Sequence, residues 1–368
     1  MNSHERFART MAHQTPDRPP LDIGGTTLTA MSPRCQEALR RFLGFSGPAE
    51  PTNSGVDERI LRWAGCDFRS VGRIVDLPSP HTRRLSAKAY VDCWGVRRER
   101  VGQYDEITHS PLRGATLEDL QAFPWPQPRL DENLLARWVA EAQALHQEGR
   151  YVVVAEHPVY GILELGCWMC GYDDFLYRLA ADPDFVRAFF DRVLEIQLAV
   201  IEPYYTALGP YITLTTSGDD FGTQLGPFLS PKMFGELVAP YFSARIARTK
   251  ELAHCYYWHH SCGSIFLLLD QLIACGVDIL NPIQTSAVGM DPRALKERFG
   301  SRLVFWGGVD VQQFLPRATP QEVREHIREL VRILGQDGGY VLAPAHNMQE
   351  DVPPENIVAW VETVAALG

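Results

Sequence analysis

Leu303-Val304-Phe305-Trp306, Thr319-Pro320-Gln321-Glu322 and Tyr340-Val341-Leu342-Ala343 decide the reading of the fold. The first and last are continuous apolar runs. Such runs suit strands covered on both faces, as in a parallel sheet. The middle piece opens a helix. Thr319 is the cap, Pro320 takes the first helical position, and Glu322 completes a capping box. Val323, Ile327, Leu330, Val331 and Leu334 then mark one apolar face, and Gly335 ends it. The sequence from 303 to 343 therefore predicts strand, helix, strand.

The same rhythm extends back to residue 150. Further apolar runs are Tyr151-Val152-Val153-Val154-Ala155, Tyr211-Ile212-Thr213-Leu214-Thr215, Cys255-Tyr256-Tyr257-Trp258 and Val277-Asp278-Ile279-Leu280. Asp182-Pro183, Ser230-Pro231 and Asp291-Pro292 repeat the cap-then-proline start. Six strand–helix units in about 215 residues, with another strand at Asp67-Phe68-Arg69-Ser70-Val71, predict an α/β fold, a (β/α)8 TIM barrel. An open doubly wound sheet is the alternative. No G-x-G-x-x-G follows a strand, so a dinucleotide-binding version is disfavoured. No repeat of fixed length points to a solenoid. The first 150 residues are irregular. They hold a capped helix over 57–65, and the proline-rich segment 123–128 suits neither a helix nor a central strand. The expected organisation is one domain over 1–368, with 1–150 partly wrapping it as an N-terminal extension.

Composition narrows the function. The 368 residues are 45% hydrophobic and 22% charged, which is that of a folded protein. Lys plus Arg number 35 and Asp plus Glu 45, a net charge of −10 that disfavours nucleic-acid binding. The apolar stretch Ile265-Phe266-Leu267-Leu268-Leu269 stops at Asp270, far short of a membrane span. The first residues lack a signal-peptide core. Eight scattered cysteines read as reduced thiols. The expectation is a cytoplasmic protein with a small-molecule substrate, binding neither nucleic acid nor membrane.

In a barrel, chemistry gathers where strands end. Those positions carry Glu156, His157 and Glu164, then Asp219 and Asp220, then His259, His260 and Cys262. Asn281 and Gln284 follow, then Asp310, then His346 and Asn347. His260, Cys262 and His346 are candidate metal ligands. A thiolate and two imidazoles suit zinc, and one intervening residue lets His260 and Cys262 reach one ion. The ordinary alternative is a buried thiol beside two hydrogen-bonded imidazoles. Asp219 and Asp220 are the candidate catalytic carboxylates, against a plain turn or capping role. His157, Glu164, Gln284, Asp310 and Asn347 are candidate substrate contacts. Cys167-Trp168-Met169-Cys170 lacks a redox or zinc context and reads as structural.

Several motifs then carry a resemblance. Gly276-Val277-Asp278-Ile279-Leu280-Asn281-Pro282-Ile283-Gln284, Gly289-Met290-Asp291-Pro292, Phe305-Trp306-Gly307-Gly308-Val309-Asp310 and Pro353-Pro354-Glu355-Asn356-Ile357 resemble the uroporphyrinogen decarboxylase superfamily. Asp92-Cys93-Trp94-Gly95 and Ser110-Pro111-Leu112 fit as well. The resemblance implies a (β/α)8 barrel and one of two chemistries. The decarboxylase grips its substrate with an N-terminal arginine pair. This chain has Asp22-Ile23-Gly24-Gly25-Thr26-Thr27 in the comparable region. The zinc-dependent methyltransferase branch has His-x-Cys followed by a distant Cys. His260 and Cys262 match it, and His346, seven residues before Pro353, stands where that branch has Cys. The resemblance implies a methyl transfer between a corrinoid protein and a small thiol or other acceptor, with zinc as cofactor, and a homodimer. The alternatives are a metal-assisted decarboxylase or lyase of a small acid, and a non-catalytic corrinoid-protein docking module. The docking module needs a metal site closed by a fourth side chain such as Glu164.

Overall fold

The computed structural model describes residues 1–102 and 104–368. Its strands are β1 (Phe68–Val71), β2 (Arg83–Arg84), β3 (Ala89–Val91), β4 (Arg97–Val101), β5 (Tyr104–His109), β6 (Val152–Ala155), β7 (Leu214–Gly218), β8 (Tyr256–His260), β9 (Ile279–Asn281), β10 (Val304–Val309) and β11 (Tyr340–Pro344). Seven of them form one parallel sheet in the order β1-β6-β7-β8-β9-β10-β11. The remaining four make a separate antiparallel sheet, β2-β3-β4-β5.

The large sheet closes on itself through residues 20–22. Leu21 forms a parallel bridge with Leu342. Leu342 N–H donates to Pro20 O at 2.9 Å, and Asp22 N–H donates to Leu342 O at 3.0 Å. On the other side, Asp67 N–H donates to Leu21 O at 2.9 Å. This segment is the eighth stave, so the (β/α)8 barrel is complete. Residues 1–150 thus supply two staves as well as wrapping segments. Two strands also sit later than the sequence pattern predicts. The helix Pro183–Leu208 runs into a turn at Gly209–Tyr211, and β7 starts only at Leu214. β8 runs on through His259 and His260. The expected helix starts are present: Thr319 makes a capping box, and Asp57 caps Glu58–Ala64. All eight cysteines are free. Among the described residues, no helix is long and apolar enough to cross a membrane.

Strand side chains alternate between faces. Inside the barrel lie Phe68, Val152, Val154, Leu214, Trp258, Ile279, Val304, Trp306, Val341 and Ala343. Trp258 stacks on Trp306 with ring centroids 4.5 Å apart. Phe7, from the helix Ser3–Met11, meets Phe68 edge-on at 5.5 Å and stops the bottom of the barrel. Two residues further along each stave, the inward positions become Glu156, Thr216, His260 and Asn281. Chemistry therefore begins one layer above the tryptophans.

Asp67, 1% exposed, ties the plug to the closing stave. Its carboxylate accepts from Arg6 Nη1 at 2.7 Å, Ser3 Oγ at 2.8 Å, Arg18 Nη1 at 2.7 Å and Leu21 N–H at 2.8 Å. Asp67→Ala would leave Arg6 buried without this partner and free the Leu21 amide. The expected loss is about 3 kcal/mol in urea unfolding. A loss below about 1 kcal/mol would show that the barrel closes without this carboxylate.

Candidate metal centre and cavity

β8 carries His260 inward, and the following turn returns Cys262 beside it. Cys262 Sγ lies 3.3 Å from His260 Nε2. His346, just past β11, crosses the His260 ring at 74° with centroids 5.6 Å apart. One donor atom from each of the three lies within 4.8 Å of the other two. A single ion can therefore meet all three.

The surroundings fix which atoms face that point. Asn281 Nδ2 donates to the Trp306 carbonyl at 3.1 Å, so its Oδ1 must be the atom facing His260. Oδ1 lies 2.6 Å from His260 Nδ1. An amide oxygen only accepts, so Nδ1 carries the proton and Nε2 keeps its lone pair for the centre. The Cys262 amide donates to Asp220 Oδ1 at 2.7 Å, and the Gly263 amide to Gln284 Oε1 at 2.8 Å. Gly263 has φ +84°, and a Cβ there would lie 2.6 Å from Thr223 O, so only glycine makes this turn. Burial pushes the Cys262 thiol well above its ordinary pKa, with Asp220 and Glu164 adding to the shift. Burial, helped by His260, lowers His346 to about 4, so its ring is neutral near pH 7. A neutral imidazole and a thiol that yields its proton to a cation form a donor set that fits zinc.

A cavity of about 460 Å³ opens against this cluster and includes His260 and His346 in its walls. Its carboxyls are Glu156, Glu164 and Asp220, and its one Lys or Arg is Arg73. Glu156 accepts from the Thr27 amide and the Thr216 hydroxyl, both at 2.8 Å. Glu164 is raised well above the ordinary carboxyl range by burial, then by Asp220 and Asp219. His157 also lines the cavity, and burial holds it neutral.

Not every candidate residue reaches this space. Asp219, fully buried, accepts from a helix start and is not among the residues lining the cavity. It accepts from the amides of Ile162 (2.8 Å), Leu163 (3.1 Å) and Glu164 (2.9 Å), where Gly161 offers no side chain. Burial raises it to about 6 against the pull of Arg245 and these amides. Asp310 accepts from the Gln312 and Gln313 amides and closes its own turn. Asn347 accepts from the Ala30 amide, while its own N–H donates to His346 Nδ1 at 2.8 Å. Gln284 and Asp310 line a side pocket of about 30 Å³ next to Cys262. The sequence reading gave no role to Arg73, Thr27 or Trp168, all of which line the main cavity. It named Glu156 and Asn281 at strand ends without a task. The two-residue offset from Val154 and Ile279 was the available signal.

The family model for uroporphyrinogen decarboxylase (URO-D) matches residues 117–367. The chain belongs to this family. A uroporphyrinogen decarboxylase from Psychromonas ingrahamii is 32% identical over 78 residues, 21% of this chain and 22% of the relative. One from Vibrio campbellii is 32% identical over 104 residues, 27% of this chain and 26% of the relative. These alignments thus span about a quarter of each curated relative. A methyltransferase from Methanosarcina mazei shares the fold. It superposes with a TM-score of 0.64 over 100% of this chain and 99% of its own, at 14% identity.

Asp219→Ala removes the acceptor of three amides and a carboxylate that interacts with Arg245, which is 1% exposed. Chemical denaturation should show a loss of about 3 kcal/mol. Metal content of the folded variant should equal that of wild type. Loss of metal with full stability would instead place Asp219 at the centre.

Proposed function

We propose that this chain is a zinc-dependent methyltransferase that moves a methyl group between a corrinoid protein and a small-molecule acceptor. One observation carries the reading. His260, Cys262 and His346 converge beside the cavity, and the cluster ends at three residues among those described. Three protein ligands leave a position for substrate, as in catalytic zinc sites. Zinc held there supplies Lewis acidity that favours the deprotonated, nucleophilic form of a thiol or hydroxyl at neutral pH.

The chain's own groups do the rest. Asn281 fixes the His260 tautomer, and Asp220 holds the Cys262 amide. Glu164 lines the cavity, and burial raises its pKa so that the carboxyl favours the protonated form. A non-catalytic docking module needs a fourth protein ligand, and Glu164 does not join the cluster. Porphyrinogen decarboxylation fits poorly. A polyanionic ring needs several cations, whereas these walls set one arginine against three carboxyls. The loop over 22–27 gives no help. Asp22 accepts from Thr29 Oγ1, the Gly25 amide and the Trp306 indole, and none of these carries charge. Metal-assisted decarboxylation of a small acid is the second reading, because the Glu164 proton is placed for delivery to a carbanion.

Protein purified without added metal should carry one zinc per chain. Cys262→Ser and His346→Ala should lose it to a chelator, and His346→Cys should keep it. Asn281→Ala should bind zinc about 10- to 100-fold more weakly in competition with a chromophoric chelator. Incubation with methylcobalamin and a panel of small thiols should give zinc-dependent demethylation, followed by absorbance. Equal rates in wild type and Cys262→Ser would contradict methyl transfer at this centre.

A further inference from the structure

The cavity is polarised along its depth. Glu156, 4% exposed, and His260, 6% exposed, lie at its inner end. Arg73 and Ile74 are exposed and form the mouth with Leu28. Arg73 stands two residues past the last β1–β6 pair, Val71 with Ala155, and so lies level with His157 on the neighbouring stave.

The backbone on both sides of Arg73 is tied down. Gly72 O accepts from Asn53 Nδ2 at 2.8 Å, and Val75 N–H donates to Pro158 O at 2.9 Å. Gly72 itself has φ +77°, and a Cβ there would lie 1.9 Å from Tyr204 Oη. A turn that admits only glycine before it therefore fixes the backbone at Arg73, which lines the cavity. Among the described residues its side chain has no hydrogen bond or ion pair. By contrast, Arg98 nearby pairs with Asp92 at 3.0 Å.

One wall between mouth and centre is aromatic. Tyr160 and Trp168 meet edge-to-face at 4.9 Å, and the Arg98 guanidinium sits 4.6 Å over the Trp168 ring. Both rings line the cavity, and their mutual contact and the Arg98 guanidinium hold them in place. A volume of about 460 Å³ accommodates a molecule of one ring with substituents.

We propose that the cavity takes a small monocarboxylate with an apolar, ring-sized body. The carboxylate pairs with Arg73 at the mouth, the body lies on Tyr160 and Trp168, and the far end points to His260, Cys262 and His346. A single bidentate guanidinium selects one carboxylate. The described lining offers no second Lys or Arg to hold another. The inference names the substrate class of the proposed transfer and rests on that reading only for what happens at the far end.

The test is calorimetric binding of benzoate and of benzamide to the full chain, as purified and after chelator treatment. Zinc is measured separately in each sample. Wild type should bind benzoate about tenfold or more tightly than benzamide, with or without metal. Arg73→Gln should erase that preference, and Arg73→Lys should keep part of it. Arg73 is exposed, so both variants should melt with wild type. Equal binding of the two probes, or an unchanged preference in Arg73→Gln, would overturn the inference. Absence of zinc with the preference intact would contradict only the metal reading.

Discussion

Trp306 joins the three parts on which the site depends. Its ring stacks on Trp258 and fills the waist of the barrel. Its indole N–H donates to Asp22 at 3.1 Å, reaching the stave that closes the sheet. Its carbonyl accepts from Asn281 and so turns the Asn281 oxygen toward His260. Below this level the interior is apolar. Above it, the same strands present an imidazole, an amide and carboxyls. The close-packed tryptophan layer leaves His260 no room to drop inward, and Asn281 leaves it one tautomer. The metal-binding geometry is therefore a consequence of how the core is filled.

Burial sets the protonation of the mouth, and its contributions to stability have opposite signs. Asp22 and Asp219 are both raised to about 6, chiefly by burial. Their folded values lie above the unfolded one. Their stabilising contribution is present at low pH and is lost as the pH rises through about 6. His346 is lowered to about 4. Its unfolded form takes a proton first, so it destabilises the fold as the pH falls from about 6.5 toward 4. Near neutrality the two aspartates are mainly ionised and held by amide, hydroxyl and indole donors, while the imidazole is neutral, with Nδ1 accepting from the Asn347 amide.

The barrel was legible because six staves have apolar runs and several of the helices between them have chemical caps. The eighth was not. Residues 20–22 begin on the second of two prolines and are too short to show any period. Cys262 and His260 were legible from spacing, and the role of His346 from its distance to Pro353. Asp219 and Asp220 could not be told apart. Adjacent carboxylates face different directions, and the amides that claim Asp219 belong to a helix start more than 50 residues earlier. Arg73 reads in the sequence like any surface arginine, and only the register of β1 on β6 sets it at the cavity mouth.

X-ray absorption at the zinc edge of the purified full chain addresses the centre most directly. The account predicts one sulfur at about 2.3 Å, two imidazole nitrogens at about 2.0–2.1 Å and one further light atom that a bound substrate replaces. Two or more sulfurs, or a shell of oxygens alone, would contradict a His260–Cys262–His346 centre with an open fourth position.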